Sequence, residues 1–280
     1  MATLVSSPAN PTIKRIRALR DRKTRTETGL FYVEGIRLVG EAVELDADVD
    51  TCIVAPDLLT SEYGQGLVAA LLPRARVLEV SSRVFATISS KEGPQGIAAV
   101  VRQRWTPLPA IDPSESFCWV ALDEVRDPGN LGTIIRTADA VGAGGVVLAG
   151  AAADPYDPAA VRASMGAIFS QRLTRTSFDE LVTWSRQHDC MLVGTSDRAR
   201  TDYQAVRYHT PTVLLMGSER EGLSSGQQGA CDTVVSIPMA GRSDSLNLAV
   251  ATAVMLYELF NQQRSRAGIA REQTDGRIGE

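Results

Sequence analysis

Three short segments in the second half of the chain hold the residues best suited to chemistry. They are Asn130-Leu131-Gly132 with Arg136, Gly217-Ser218-Glu219-Arg220-Glu221-Gly222, and Ile237-Pro238-Met239 followed by Ser245-Leu246-Asn247. Their amide, guanidinium, carboxylate and hydroxyl groups, interleaved with glycine, suit one site that holds a cofactor and a polar substrate. Metal chemistry and a histidine triad have little raw material, because His188 and His209 are the only histidines. Cys52, Cys118, Cys190 and Cys231 are scattered without a CxxC pair and read as buried free thiols in a reducing compartment. No metal is expected.

Each segment follows a stretch that reads as a strand, and open α/β sheets bind ligands outside the carboxyl ends of their strands. Asp123 to Arg136 reads strand, loop, helix. Pro128, Gly129 and Gly132 shape a turn in which Asn130 caps the helix and leaves its amide free for a polar ligand. Arg136 lies about a turn and a half further on, among Ile134, Ile135, Ala138 and Val141, and is either a surface charge or a pocket residue. Glycine after the strand Val213–Met216 lets backbone N–H and C=O groups approach a ligand. No GK[ST] ends that loop, so it is not a phosphate loop. Gly142-Ala143-Gly144-Gly145 precedes a strand, so it reads as a helix C-cap and turn and not as a dinucleotide fingerprint. The glycine-rich acidic loop of ordinary Rossmann methyltransferases is absent. Asp244 or Ser245 can cap the last helix. Asn247 then falls in its first turn, where asparagine is a poor interior helix former.

Other elements must position these residues. Thr12–Arg22 reads as a helix with Ile13, Ile16 and Leu19 as its apolar stripe. Strands are expected over Leu30–Val33, Thr51–Ala55, Arg76–Val80 and Gly96–Val101, with helices over Ile36–Leu45, Gly64–Leu72 and Ser82–Ile88. This alternation predicts a small α/β domain over residues 1–106. Pro107, Pro109 and Pro113 interrupt helix and sheet alike, so 107–116 reads as a linker. Beyond it, strands over Phe117–Leu122, Gly145–Leu148, Cys190–Gly194, Val213–Met216 and Thr233–Ile237 alternate with helices over Leu131–Val141, Pro158–Met165, Asp179–His188 and Leu246–Asn261. Strands apolar throughout predict a parallel sheet covered on both faces, spanning 117–265. Residues 266–280 read as a polar tail.

The chain has 280 residues, is 44% hydrophobic and carries a net charge of −4, which fits a globular protein that does not coat nucleic acid indiscriminately. That average hides an asymmetry. Residues 1–106 hold 14 Lys/Arg against 12 Asp/Glu, and the remainder 15 against 21. The excess is concentrated in Lys14, Arg15, Arg17, Arg20, Arg22, Lys23 and Arg25. Such a cluster can neutralise phosphates and steer a polyanion; a solvated helix face is the plainer reading. No apolar run approaches the ~18–20 residues of a membrane span, and Met1–Pro8 lacks the basic flank and apolar core of a secretory signal. The expected location is the cytoplasm.

The order and spacing of the three segments resemble the SpoU (TrmH) group of RNA ribose 2′-O-methyltransferases in the SPOUT superfamily. The matching stretches are Asp127–Ala138, Met216–Leu223, and Ile237–Met239 with Ser243–Leu248. Asn10–Lys14 and Phe31–Gly35 resemble the substrate-binding domain of rRNA-directed members, and the general likeness runs to large-subunit enzymes of the avilamycin-resistance type. The resemblance implies a knotted C-terminal SPOUT domain of parallel sheet beside a smaller N-terminal α/β RNA-binding domain. It implies a homodimer whose site is completed at the interface. S-adenosylmethionine would be held by Thr195, Met216, Gly217, Ser218, Glu219, Ile237, Met239, Ser245, Leu246 and Asn247. Arg136 and Asn130 would take the catalytic positions, assisted by Glu219, Ser245 and Asn247. Lys14, Arg15, Arg17, Arg22, Lys23 and Arg25 are the RNA-binding candidates.

The implied partner is structured RNA, with rRNA ahead of tRNA; the 2′-hydroxyl distinguishes RNA from DNA. A catalytically silent RNA-binding or assembly factor is the alternative of a different class. Lowering an arginine pKa from ~13 to ~7 costs about 8 kcal/mol at about 1.4 kcal/mol per unit, so an arginine in this position orients the substrate better than it removes a proton.

Overall fold

The computed structural model describes residues 4–266 and 268. They form two compact units. The first takes the residues up to Arg104 together with Asp154–Ser170, and the second takes Trp105–Ala153 and the residues from Gln171 on.

Along the chain the first unit begins with α1 (Pro11–Ala18), α2 (Arg22–Thr28), β1 (Leu30–Glu34), α3 (Ile36–Glu44) and β2 (Val49–Val54). It continues through α4 (Glu62–Leu71), β3 (Arg76–Glu79), α5 (Ser82–Ile88) and β4 (Ile97–Arg102). The second unit begins with β5 (Cys118–Asp123), α6 (Pro128–Ala140) and β6 (Gly145–Ala149). Next come α7 (Pro158–Ser164) and α8 (Ala167–Ser170), which belong to the first unit. The second unit resumes with β7 (Arg172–Thr176), α9 (Phe178–Gln187), β8 (Met191–Thr195) and β9 (Thr201–Asp202). It closes with β10 (Thr212–Met216), α10 (Ser225–Ala230), β11 (Thr233–Ser236) and α11 (Leu248–Arg266).

In the first unit the sheet order is β1-β4-β2-β3. Strand β4 runs antiparallel to both neighbours, and β2 and β3 are parallel. Ile13, Ile16 and Leu19 pack with Ile53, Leu78, Phe85 and Val100 into the core. The helix expected over Thr12–Arg22 stops at Ala18, and a second helix starts at Arg22. The N–H groups of Leu19, Arg20 and Asp21 turn back to carbonyls three residues earlier, a tight turn that suits the three-residue spacing of the apolar stripe. Helix α2, RKTRTET, has no apolar residue, so periodicity could not reveal it.

Arg25, an expected RNA contact, lies inside the first unit instead. Arg25 is 1% exposed. Its Nε donates to Asp154 Oδ2 at 2.8 Å and its Nη2 to Asp157 Oδ2 at 3.2 Å. Its Nη1 donates to the carbonyls of Leu19 and Arg20 at 3.0 and 2.7 Å. A guanidinium so enclosed cannot meet a phosphate; it anchors the Asp154–Ser170 segment to the α1–α2 corner. Phe31 packs its ring against Tyr156 at 4.6 Å beside it.

The second unit is a seven-stranded sheet ordered β7-β6-β5-β10-β8-β11-β9, with every pairing parallel. Strands β5, β6 and β10 are buried almost throughout, as unbroken apolar runs such as VVLA and VLLM require of a sheet covered on both faces. The proline-rich stretch 107–116 forms two short 3-10 turns, and Leu108 and Ile111 join this unit's core beside Trp119 and Trp184. Helix α6 ends as expected at a glycine turn, with Gly142 at φ +71° and the Ala143 N–H returning to the Ala138 carbonyl at 2.9 Å.

Sequence periodicity missed β7, β9, α8 and α10. Helix α10, SGQQGA, is set by a reciprocal cap between Ser224 and Gln227 and not by apolar spacing. No helix among the described residues is long and apolar enough to cross a membrane. Most of the polar tail expected over 266–280 lies outside the described residues.

Burial raises the thiols, Cys52 to about 12 and Cys190 and Cys231 to about 11, and Cys118 further. Thiolate is therefore scarce at pH 8, and all four should resist a thiol reagent until the protein is unfolded; absorbance titration checks this. Arg25→Ala removes the cation that faces the buried Asp154 carboxylate and should cost about 3–5 kcal/mol, read as a fall in the urea midpoint.

Candidate active site

The strand order locates the site. Strands β5, β6 and β7 proceed in one direction across the sheet, whereas β8 lies on the far side of β10. The order therefore reverses between β5 and β10, and the loops after those strands flank the reversal, where such sheets bind ligands. These loops are 124–127 and 217–222.

A cleft of about 640 Å3 opens in the second unit at this carboxyl edge. Its walls are the loops that follow β8, β10 and β11, together with the approach to α11. Of the expected cofactor positions, Thr195, Met216, Gly217, Ser218, Glu219, Ile237, Met239, Ser245 and Leu246 line it; Asn247 does not. The loop after β10 is closed tightly on itself. Gly222 N–H donates to the Ser218 carbonyl at 3.1 Å, and a Cβ on Gly217 would collide with the Gly222 backbone. Thr195 donates its hydroxyl to Met216 Sδ at 3.5 Å across the floor. Met239 and Leu246 leave 37% and 39% of their surface open, giving apolar cover beside polar backbone groups.

Glu219 reaches out of the cleft. Its carboxylate accepts from the N–H of Arg126 at 3.1 and 3.2 Å, from that of Asp127 at 3.1 Å, and from the Asn130 amide at 3.5 Å. Asn130 Oδ1 in turn accepts from Asn247 Nδ2 at 2.9 Å. The structure thus joins Glu219, Asn130 and Asn247 in one chain of hydrogen bonds. Two capping assignments change. Asp127 caps α6, accepting from the Asn130 N–H at 2.7 Å, with Pro128 in the first turn; this frees the Asn130 side chain for the chain above. Asn247, and neither Asp244 nor Ser245, caps α11, its Oδ1 accepting from Ala249 and Val250 N–H at 2.9 and 3.3 Å. Ser245 bonds only its neighbour Asp244, at 3.2 Å, among the described residues.

Arg136 is not drawn in. It is exposed, lines no part of the cleft, and makes no hydrogen bond or ion pair among the described residues. Six residues of helix rotate it about 120° away from Asn130 and carry it about 9 Å along the axis. Sequence reasoning missed Asp127 and Arg126, which serve through backbone N–H groups; the S/T/D-x-x capping pattern at Asp127 was the available signal. Asp123, at the end of β5, accepts from Gln227 Nε2 at 2.6 Å. Burial raises its carboxyl, the Gln227 bond opposes the rise, and Glu124 adds to it.

The basic residues of the first unit meet different fates. Lys14, Arg15, Arg22 and Lys23 are exposed. Arg17 is half-buried and donates to Thr87 Oγ1 at 2.9 Å, while Arg20 donates to the Ile88 and Ser89 carbonyls at 3.0 Å.

Comparison with known proteins shows the family of the chain. Residues 118–257 match the SpoU rRNA Methylase family, and residues 10–99 match an MRM3-like substrate binding domain. The chain is 37% identical over 254 residues to the 23S rRNA (uridine(2479)-2′-O)-methyltransferase of Streptomyces viridochromogenes, covering 88% of each chain. Among solved structures it resembles an AdoMet-bound rRNA methyltransferase from Sinorhizobium meliloti, with a TM-score of 0.85, 40% identity, and 95% and 98% of the two chains covered. It also resembles the SpoU methyltransferase AviRb from Streptomyces viridochromogenes in complex with AdoMet, with a TM-score of 0.84, 35% identity, and 91% and 99% covered. A mixed α/β chain whose large parallel sheet carries these motifs, matched over most of its length, belongs to the SpoU rRNA methylase family.

Proposed function

We propose that this protein transfers the methyl group of S-adenosylmethionine to a ribose 2′-hydroxyl in large-subunit rRNA. The observation that carries the reading is the cleft at the strand-order reversal, lined by the family's second and third motifs and tied through Glu219 to the first. Its backbone-rich wall, closed at Gly217, and the open apolar surfaces of Met239 and Leu246 fit a nucleoside whose amino-acid arm carries a sulfonium. When bound, the cofactor supplies an activated methyl group, so the protein need only align an oxygen and let one proton leave. Thr195, Met216–Glu219, Ile237, Met239, Ser245 and Leu246 hold the cofactor. Asn130 and Asn247 hold the nucleotide, and Glu219 keeps Asn130 in place. Arg136 polarises the 2′-oxygen and steadies the neighbouring phosphate.

Arg136 does this from the partner subunit of a homodimer. The reading is supported by its exposure, by its lack of partners, and by α11, which packs on α6 and leaves Val250 and Tyr257 about half exposed. The return of the chain to the first turn of α6 at Asn247 is consistent with the trefoil threading implied by the SPOUT resemblance. The first unit, with Lys14, Arg15, Arg22 and Lys23 exposed, recognises structured RNA in the bacterial cytoplasm. A resistance role is favoured by the likeness to the AviRb enzyme, and drug sensitivity of cells with and without the protein tests it.

Mass-spectrometric mapping of 2′-O-methyl sites on rRNA and tRNA from cells with and without the protein should show one 23S nucleotide losing its mark. Unchanged rRNA would sink the reading, and a lost tRNA mark would redirect it. Arg136→Ala should lower transfer by at least about 100-fold, as loss of an electrostatic contact in the transition state does, with S-adenosylmethionine affinity by calorimetry unchanged. Asn247→Ala should cost about 1 kcal/mol of stability through the lost cap and also impair transfer. Asn247→Asp keeps the cap but not the amide donor to Asn130, so thermal unfolding should recover while transfer stays low.

A further inference from the structure

The loop between β5 and α6 carries an arginine that none of the motifs claims. Its backbone is pinned on every side of Arg126. Val125 is fully buried, and its carbonyl accepts from Ala153 N–H at 2.7 Å. The N–H groups of Arg126 and Asp127 both end on Glu219. Glu124 takes a left-handed φ of +53°, with its N–H on the Ala149 carbonyl at 3.3 Å. The side chain that rises from this fixed base is 68% exposed, and its guanidinium meets one acceptor among the described residues, Glu124 Oε2 at 3.4 Å. Arg25 and Arg20, by contrast, spend their donors on protein carboxylates or carbonyls. Arg126 holds most of its donors in reserve.

The charge around it gives this reserve a use. Asp123, Glu124, Asp127 and Glu219 crowd the same loops. A polyanion approaching Asn130 would be repelled there unless a cation offset those carboxylates. Arg126 is the cation within the loop itself, and one carboxylate touches both its N–H and the Asn130 amide. An exposed pair such as Arg126–Glu124 is worth little, so exchanging the carboxylate for a phosphate costs little.

Resting on the methyl-transfer reading above, we propose that Arg126 is a substrate-binding residue: it takes an RNA phosphodiester beside the target ribose, leaving Glu124 as it does so. The planar fork of a guanidinium suits a bidentate grip on phosphate. This subsite would fix the register of the RNA strand across Asn130, a task separate from holding the methyl donor.

The test uses the full chain and an unmodified rRNA fragment that the wild-type protein methylates. Arg126→Ala should raise KM for RNA by about ten-fold, a charge-assisted bond's lower range, with kcat within about two-fold. It should also reduce the slope of log affinity for RNA against log salt by about one. Arg126→Lys should recover part of the KM loss, and Glu124→Gln should lower KM below the wild-type value by freeing the guanidinium. S-adenosylmethionine affinity should stay constant in all three. An Arg126→Ala protein with wild-type KM and salt slope overturns the proposal and leaves the transferase reading intact. So does loss of donor binding in that variant, which would assign the residue to the Glu219 turn instead. If the wild-type chain methylates no RNA at all, both readings fall together.

Discussion

Everything in the site depends on a carboxylate that grips backbone. Glu219 leaves the loop after β10 and ends on the N–H groups of the loop after β5, across the line where the strand order reverses. Side chains in these loops could swing independently, but main-chain donors cannot move without the strand that carries them. The contact is exposed to water, so its worth lies in geometry more than in energy. Because the same carboxylate touches Asn130, which in turn holds Asn247, three distant stretches of sequence share one frame. The parallel sheet makes this possible by bringing every relevant loop to a single edge.

Strands apolar on both faces, helices between them and glycine after each buried run gave away the α/β class and the carboxyl-edge site, because burial leaves a periodic trace. The caps were less legible. Asn130 and Asp127 are equally plausible starts for α6, and only the position of Pro128 in the first turn decides for Asp127. Asn247 looked misplaced inside a helix because that helix was expected from Leu246; it starts at Leu248, two residues later, and the Asn247 side chain closes its end. Hydrogen bonds of this kind depend on spatial neighbours that spacing cannot report.

The run of basic residues from Lys14 to Arg25 makes the same point about charge. Read along the sequence it is one cationic patch. In space, Arg25 is consumed by two aspartates more than a hundred residues away, Arg20 by carbonyls at the end of α5, and Arg17 by Thr87, while Lys14, Arg15, Arg22 and Lys23 are exposed, Lys23 beside Glu27. Composition counts charges but cannot say which side chains are already held by the protein. The candidate surface for a polyanion is therefore smaller than the sequence suggested.

The segment Asp154–Ser170 carries a consequence for anyone who would dissect the gene. It is encoded between two strands of the larger sheet, yet it supplies Asp154, Asp157 and the aromatic contact of Tyr156 to the smaller unit. An excision at the proline-rich stretch would strand a guanidinium in an apolar interior and strip the ring of Phe31. The amino-terminal portion is thus no portable cassette, and grafting it onto another enzyme would require a discontinuous transplant.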